Sequence, residues 1–216
     1  MKFQKLTIVA LIAFLFMPQV IPAQEKHDMK MQGNDSQMMS HPEMMDDHMM
    51  MHHEHVKTME RVFRYERNMA EKASEIKVSY LYKVGDAVSE KDKNSMVMMS
   101  KTMVEDGLSG KEISFDPIAI SPDNNLSSQL SEAGINVIYI GSGLSAEELN
   151  AAGNFAIDKK MLTIGSTSEL AEQGITAVGI AVNKDKVDLI INLKTAGKLA
   201  VDFDPRLFRL ANKVIK

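Results

Sequence analysis

The stretch from Met161 to Lys216 constrains this chain most, because it sets a strand pairing and also its own ending. A short apolar run, Leu162–Gly165, precedes a helical segment, Ser168–Gln173, that stops at Gly174. Two apolar runs follow, Ile175–Asn183 and Val187–Leu193, separated by Lys184, Asp185 and Lys186. Two such runs joined by a short polar turn predict a β-hairpin. A small-residue turn of helix, the run Leu199–Phe203 and a final helix close the chain. Asp204 suits the N-cap of that helix and Pro205 its first position. Leu207, Leu210, Ala211 and Val214 recur at helical spacing and are expected to face a core.

The preceding residues follow the same grammar. Leu126–Ala133 reads as a helix closed by Gly134. Asn136–Gly141 is a short, continuously apolar run of the kind buried on both faces of a parallel sheet. Ser145 is placed to cap the next helix, with Glu148 completing a capping box. Strands separated by helices imply right-handed crossovers. The expected fold is therefore α/β: a mainly parallel sheet with flanking helices in a Rossmann-like three-layer arrangement, ending in a β-hairpin and a closing helix. Further upstream, Ser95–Met99 reads as a first strand and Lys101–Asp106 as a short helix stopped by Gly107. Leu108–Ile120 reads as a turn followed by a strand broken at Pro117. From Val56 there is no Gly or Pro until Gly85. Val62, Met69, Ala73, Ile76 and Tyr80 recur there at three- and four-residue spacing, which predicts one helix or two meeting near Ser74.

Four segments of the C-terminal region, Leu162–Gly165, Ser168–Gly174, Ile190–Leu193 and Leu207–Ala211, follow one another in an order and spacing that resembles the C-terminal signature of the YfiR-like family. Ile76–Val88 resembles the first helix of that domain. The resemblance implies a periplasmic protein that acts by protein–protein contact, whose best-known relatives restrain an inner-membrane diguanylate cyclase and so control cyclic-di-GMP output and biofilm formation. It also implies cysteine-based redox control. This chain has no cysteine, and Asn136 or a neighbour stands where a family cysteine is common, so that mechanism does not carry over. The implied partner is an inner-membrane signalling protein of the diguanylate cyclase type, with a homodimer as a further option.

The first residues carry the marks of an export signal: Lys2 and Lys5, an apolar run Leu6–Met17, then Pro18, Pro22 and Ala23. Residues 1–23 are expected to be removed, leaving a periplasmic protein that, lacking cysteine, is not a lipoprotein. Residues 24–55 are expected to be a disordered tail, residues 56–75 a helical neck, and residues 76–216 the YfiR-like domain.

The tail carries the distinctive chemistry. All 6 histidines lie in it, and 10 of the 18 methionines fall between Met29 and Met59. It has no aromatic or branched aliphatic residue and so no periodic apolar face. Thioethers suit Cu(I) and, by extension, Ag(I); imidazoles suit Cu(II) and Zn(II). The candidate metal ligands are His27, Met29, Met31, Met38, Met39, His41, Met44, Met45, His48, Met49, Met50, Met51, His52, His53 and His55. His48 and His52 are four apart, so a turn of helix brings them to one side. An inert linker and a methionine-rich patch for a protein partner are the competing readings. Met96, Met98, Met99 and Met103 read as core filler, with a second soft-metal cluster as the alternative.

Composition excludes other classes. The net charge is −4 with no basic cluster, which disfavours nucleic acid as a partner. No histidine or cysteine follows residue 55, so acid–base work would fall to Asp, Glu, Lys or Tyr, and no catalytic residue or required cofactor is expected. Gly141–Leu149 lacks a phosphate-binding glycine fingerprint and reads as a capped strand-to-helix turn. A periplasmic protein that sequesters copper or silver is the alternative to the regulatory reading.

Overall fold

The structure, a computed structural model, describes residues 47–72, 74–121, 125–183 and 186–216. They fall within one compact unit, His41–Lys216. The expected signal peptide, the tail as far as residue 46, and Lys184 and Asp185 of the hairpin turn lie outside the described residues.

The chain opens with two helices, α1 (Asp47–Tyr65) and α2 (Arg67–Lys72), followed by β1 (Glu75–Lys83), α3 (Ala87–Asp106), β2 (Glu112–Ile120), α4 (Leu126–Glu132), β3 (Val137–Ile140), α5 (Ala146–Lys159), β4 (Leu162–Gly165), α6 (Ser168–Glu172), β5 (Val178–Asn183), β6 (Lys186–Asn192), α7 (Leu193–Lys198), α8 (Pro205–Phe208) and β7 (Lys213–Ile215). The strands form a seven-stranded sheet in the order β2-β1-β3-β4-β5-β6-β7. β1 to β5 run parallel; β6 turns back antiparallel to β5, and β7 lies parallel to β6. The α/β architecture is thus the expected one. Every residue of β3 and β4 is buried, so both faces of the sheet centre are covered.

Winding reverses after β2. The chain moves outward from β1 to β2, then crosses back to β3 and continues to β5. Right-handed crossovers then place α3 on one face and α4 and α5 on the other. α1 packs against α3 and β5, on the α3 face.

Several local expectations hold. The hairpin pairs Val178 with Ile191 and Asn183 with Lys186. Ser145 and Glu148 form the capping box on α5. Gly107 ends α3, with its N–H bonded to the carbonyl of Met103.

Others are corrected. Ile76–Lys83, expected to be helical, lies in the central strand β1, with Ile76, Val78, Tyr80 and Leu81 buried. Ile76 and Tyr80 are four apart, a spacing shared by the helical and the strand period; the β-branched and aromatic residues of IKVSYLY decide for strand. Ser95–Met99, expected to be a strand, lies mid-helix in α3, where unbranched methionines are favourable. Pro117 does not break β2, because β2 is an edge strand, where a sheet tolerates a missing N–H. The closing helix stops at Phe208; Leu207 is buried, Leu210 is 47% exposed, and Lys213–Ile215 pairs with β6 as a strand. The run Leu199–Phe203 forms no strand of the sheet, but Phe203 bridges to Glu66.

The neck is corrected as well. α1 begins inside the expected tail, and Val56, Met59, Val62 and Phe63 belong to the core. Each such side chain contributes roughly 1.5–3 kcal/mol on burial, so α1 is a core element rather than a spacer. The α1–α2 junction is tied to the C-terminal region: Glu66 accepts from the N–H of Asp202 at 3.0 Å and of Met69 at 2.6 Å.

Candidate functional site

In an open α/β sheet the ligand crevice lies at the carboxyl ends of the strands, where the winding reverses. In this chain that point is between β1 and β3, bounded by the β1–α3 turn and by Gly141–Ser145. Two side chains of α1, His52 and His55, reach its edge.

His52, His55, Val56, Met59, Val62, Phe63 and Glu66 are all buried, so the helical stripe that anchors α1 continues into two histidines. His55 Nε2 lies 2.8 Å from the carbonyl oxygen of Ile180 on β5. A carbonyl only accepts, so Nε2 carries the proton and the ring is neutral at Nδ1. Burial is the main cause of a pKa lowered to about 4, against a smaller upward pull from the Ile180 carbonyl. The same ring meets Tyr139 edge-on, with centroids 6.5 Å apart, and Tyr139 stacks on Tyr80 at 5.1 Å. These tyrosines face each other because β1 and β3 pair Tyr80 with Tyr139 in register. Burial pushes both phenols above their ordinary range. Gly141 lets the Tyr80 hydroxyl approach: a Cβ there would meet it, and the carbonyl of Leu81, at 2.7 Å.

On the other side of the crevice, His52 Nε2 stands 3.7 Å from Asp92 Oδ1. Asp92 also accepts a hydrogen bond from the Ser142 hydroxyl. Ser89 donates to the Ser142 carbonyl at 2.8 Å and accepts from the Lys83 N–H at 2.9 Å, which knits the two loops together. Among the described residues, no three His, Asp or Glu side chains converge on a metal-sized site.

The sequence-derived ligands are therefore divided. His27, Met29, Met31, Met38, Met39, His41, Met44 and Met45 lie outside the described residues. The backbone of His48, Met49, Met50 and Met51 is helical, and their side chains lie outside the described part. His52 and His55 are buried at the crevice edge, and His53 lies half-buried on another face of α1. Residues 47–55, expected to be disordered, are helical. Asp92, Tyr139 and Ser142 were not expected as site residues from the sequence, and Tyr80 was read only as part of a helical stripe. Their signal was weak: a tyrosine inside each of two strands that the register later aligned.

Asn136, just before β3, is a clamp. Its Oδ1 accepts from the Lys77 N–H and its Nδ2 donates to the Glu75 carbonyl, both at 2.9 Å.

Among the described residues no helix is long and apolar enough to cross a membrane. No curated protein matches the chain in sequence. Among solved structures, the chain is similar to the ABC domain in complex with L-Trp from Streptococcus pneumonia, with 11% identity, a TM-score of 0.53 and coverage of 72% of this chain and 61% of that one. It is also similar to a conserved domain protein from Vibrio cholerae, with 12% identity, a TM-score of 0.52 and coverage of 76% and 60%. The chain thus spans about three-fifths of these structures, and at such identity the likeness concerns the fold alone. The YfiR/HmsC-like family model matches residues 87–212, from the start of α3 to the threshold of β7. With more than half of its length so matched, the chain belongs to the YfiR/HmsC-like family of periplasmic regulatory proteins.

Proposed function

We propose that this protein is a non-enzymatic regulator that acts by contact with an inner-membrane signalling protein of the diguanylate cyclase type, and that its Met/His-rich tail binds soft metal ions. One observation supports this reading most. The crevice where an open α/β sheet takes its ligand is occupied at its edge by His52 and His55 of α1 from the same chain, and the Met/His run leads directly into α1. A crevice edged by its own chain in this way suits a surface-acting regulator better than an enzyme. The tail's thioethers suit Cu(I) and Ag(I), and its imidazoles Cu(II) and Zn(II).

Affinity capture with the mature chain from solubilised inner membranes tests the regulatory half. Recovery of a cyclase-domain protein is expected; a capture containing no signalling protein refutes it. Calorimetry of the mature chain with Ag(I), Cu(II) and Zn(II) tests the metal half, and absence of heat with all three removes it. The density of methionine and histidine before residue 60 favours one second reading, a copper- or silver-sequestering protein. In that case deletion of residues 24–46 raises copper sensitivity without changing cyclic-di-GMP output.

A further inference from the structure

α1 and α3 lie side by side, and the groove between them holds a donor set drawn from two separate parts of the sequence. His53, Val56, Lys57 and Glu60 line it from α1, and Met99, Met103 and Gly107 from α3, around a cavity of about 200 Å³. The α1 residues succeed one another at the three- and four-residue spacing of one helix face. Met99 and Met103 are four apart, so their thioethers rise from adjacent turns on the face opposite. Met103 is buried, while His53 and Met99 are half-buried. Met96, one turn earlier, is wholly buried, as a core-filling methionine should be. Met99 differs from it in opening onto the groove.

The charged groups of the groove are already paired. Lys57 Nζ lies 3.3 Å from Glu54 Oε1, and Arg64 bonds to Glu60. The other donor groups among the lining residues are one imidazole and two thioethers, beside the apolar Val56. Hard cations such as Ca²⁺ and Mg²⁺ require oxygen ligands. Thioethers select Cu(I) and ions like it, and imidazole completes a low-coordinate set. A monovalent ion also brings the smaller charge into a partly desolvated groove.

We propose that His53, Met99 and Met103 form a soft-metal site for Cu(I) or Ag(I), distinct from the methionine clusters before residue 46. Such an ion staples α1 to α3. Because α1 also carries His52 and His55 to the crevice edge, metal at this site holds them there.

The test uses the full mature chain, labelled with ¹³C at the methionine methyl groups and titrated with Ag(I), which is diamagnetic and redox-inert, in chloride-free buffer. Met99→Leu and Met103→Leu assign the two resonances and conserve volume, so the fold should tolerate them. The expected result is that the Met99 and Met103 methyl signals and the His53 ring signal move together and saturate at one ion. Met99→Leu or His53→Gln should each weaken this response at least about tenfold, while Met98→Leu, an exposed α3 position outside the groove lining, leaves it unchanged. Shifts confined to methionines before residue 46 overturn the inference and leave the tail reading standing. No shift at any methionine overturns the inference and the thioether half of the tail reading.

Discussion

Lowering the pH should release α1, and His55 sets the size of the effect. Its imidazole is buried and donates to the Ile180 carbonyl, and its pKa falls from 6.5 to about 4. In the unfolded chain it titrates near 6.5. The folded pKa is the lower one, so between these values the unfolded state binds more protons and stability rises with pH. His55 therefore contributes stability that is present above about pH 6.5 and is lost as pH falls toward 4. A shift of one unit is worth about 1.4 kcal/mol, so the full loss is about 3 kcal/mol, with about 2 kcal/mol gone by pH 5. That is a substantial part of the 5–15 kcal/mol typical of a domain. The assay is urea denaturation from pH 7.5 to 5 in metal-free buffer, comparing the wild type with His55→Gln, whose amide can still donate to the carbonyl. All other residues are common to both proteins, so the difference reports on His55. The wild type should lose about 2 kcal/mol more than the variant over that range. A difference that stays flat means that His55 titrates in the fold as in water, and refutes the docking of α1 on β5.

Phe63→Ala should cost about 3–5 kcal/mol in chemical denaturation, because Phe63 is wholly buried; a helical neck outside the core would lose almost nothing. Gly141→Ala should lower the melting temperature through a loss of about 1–3 kcal/mol, since the new Cβ meets the Leu81 carbonyl and the Tyr80 hydroxyl at 2.7 Å. Leu207→Ala should cost about 2–5 kcal/mol and Leu210→Ala under about 0.5 kcal/mol; equal losses in a thermal-shift assay would restore the longer closing helix.

Elements whose signal is local were legible in the chain. Ser145 and Glu148 announce their capping box within four residues, and the alternating runs around Lys186 pair with their immediate neighbour. The apolar run at Val137–Ile140 is too short and too continuous for anything but a buried strand. Where two periods coincide, local reading failed. Ile76 and Tyr80 satisfy helix and strand alike, and Ser95–Met99 reads as a strand until Asp86 and Gly107 are recognised as the caps of one helix. At the C-terminus, Leu210 and Val214 keep a helical interval although the helix ends at Phe208, because β6 offers Lys213–Ile215 a strand to pair with. The candidate site was legible only in part. The histidines stood out by type, whereas Tyr80, Asp92, Tyr139 and Ser142 carry no mark until the sheet register and α3 bring them together.

The amino-acid sequence by itself determined the α/β class, the hairpin, the helix caps and the resemblance to the family, because periodicity, capping and turn chemistry act between residues a few positions apart. It also determined the soft donor chemistry of the tail, which is a matter of residue type. Only the tertiary structure decided that His52 and His55 are core residues and that His53 faces methionines of α3. The partner that buries His55 lies 125 residues away on β5. No local pattern encodes such a contact, since burial depends on which surfaces the finished sheet presents.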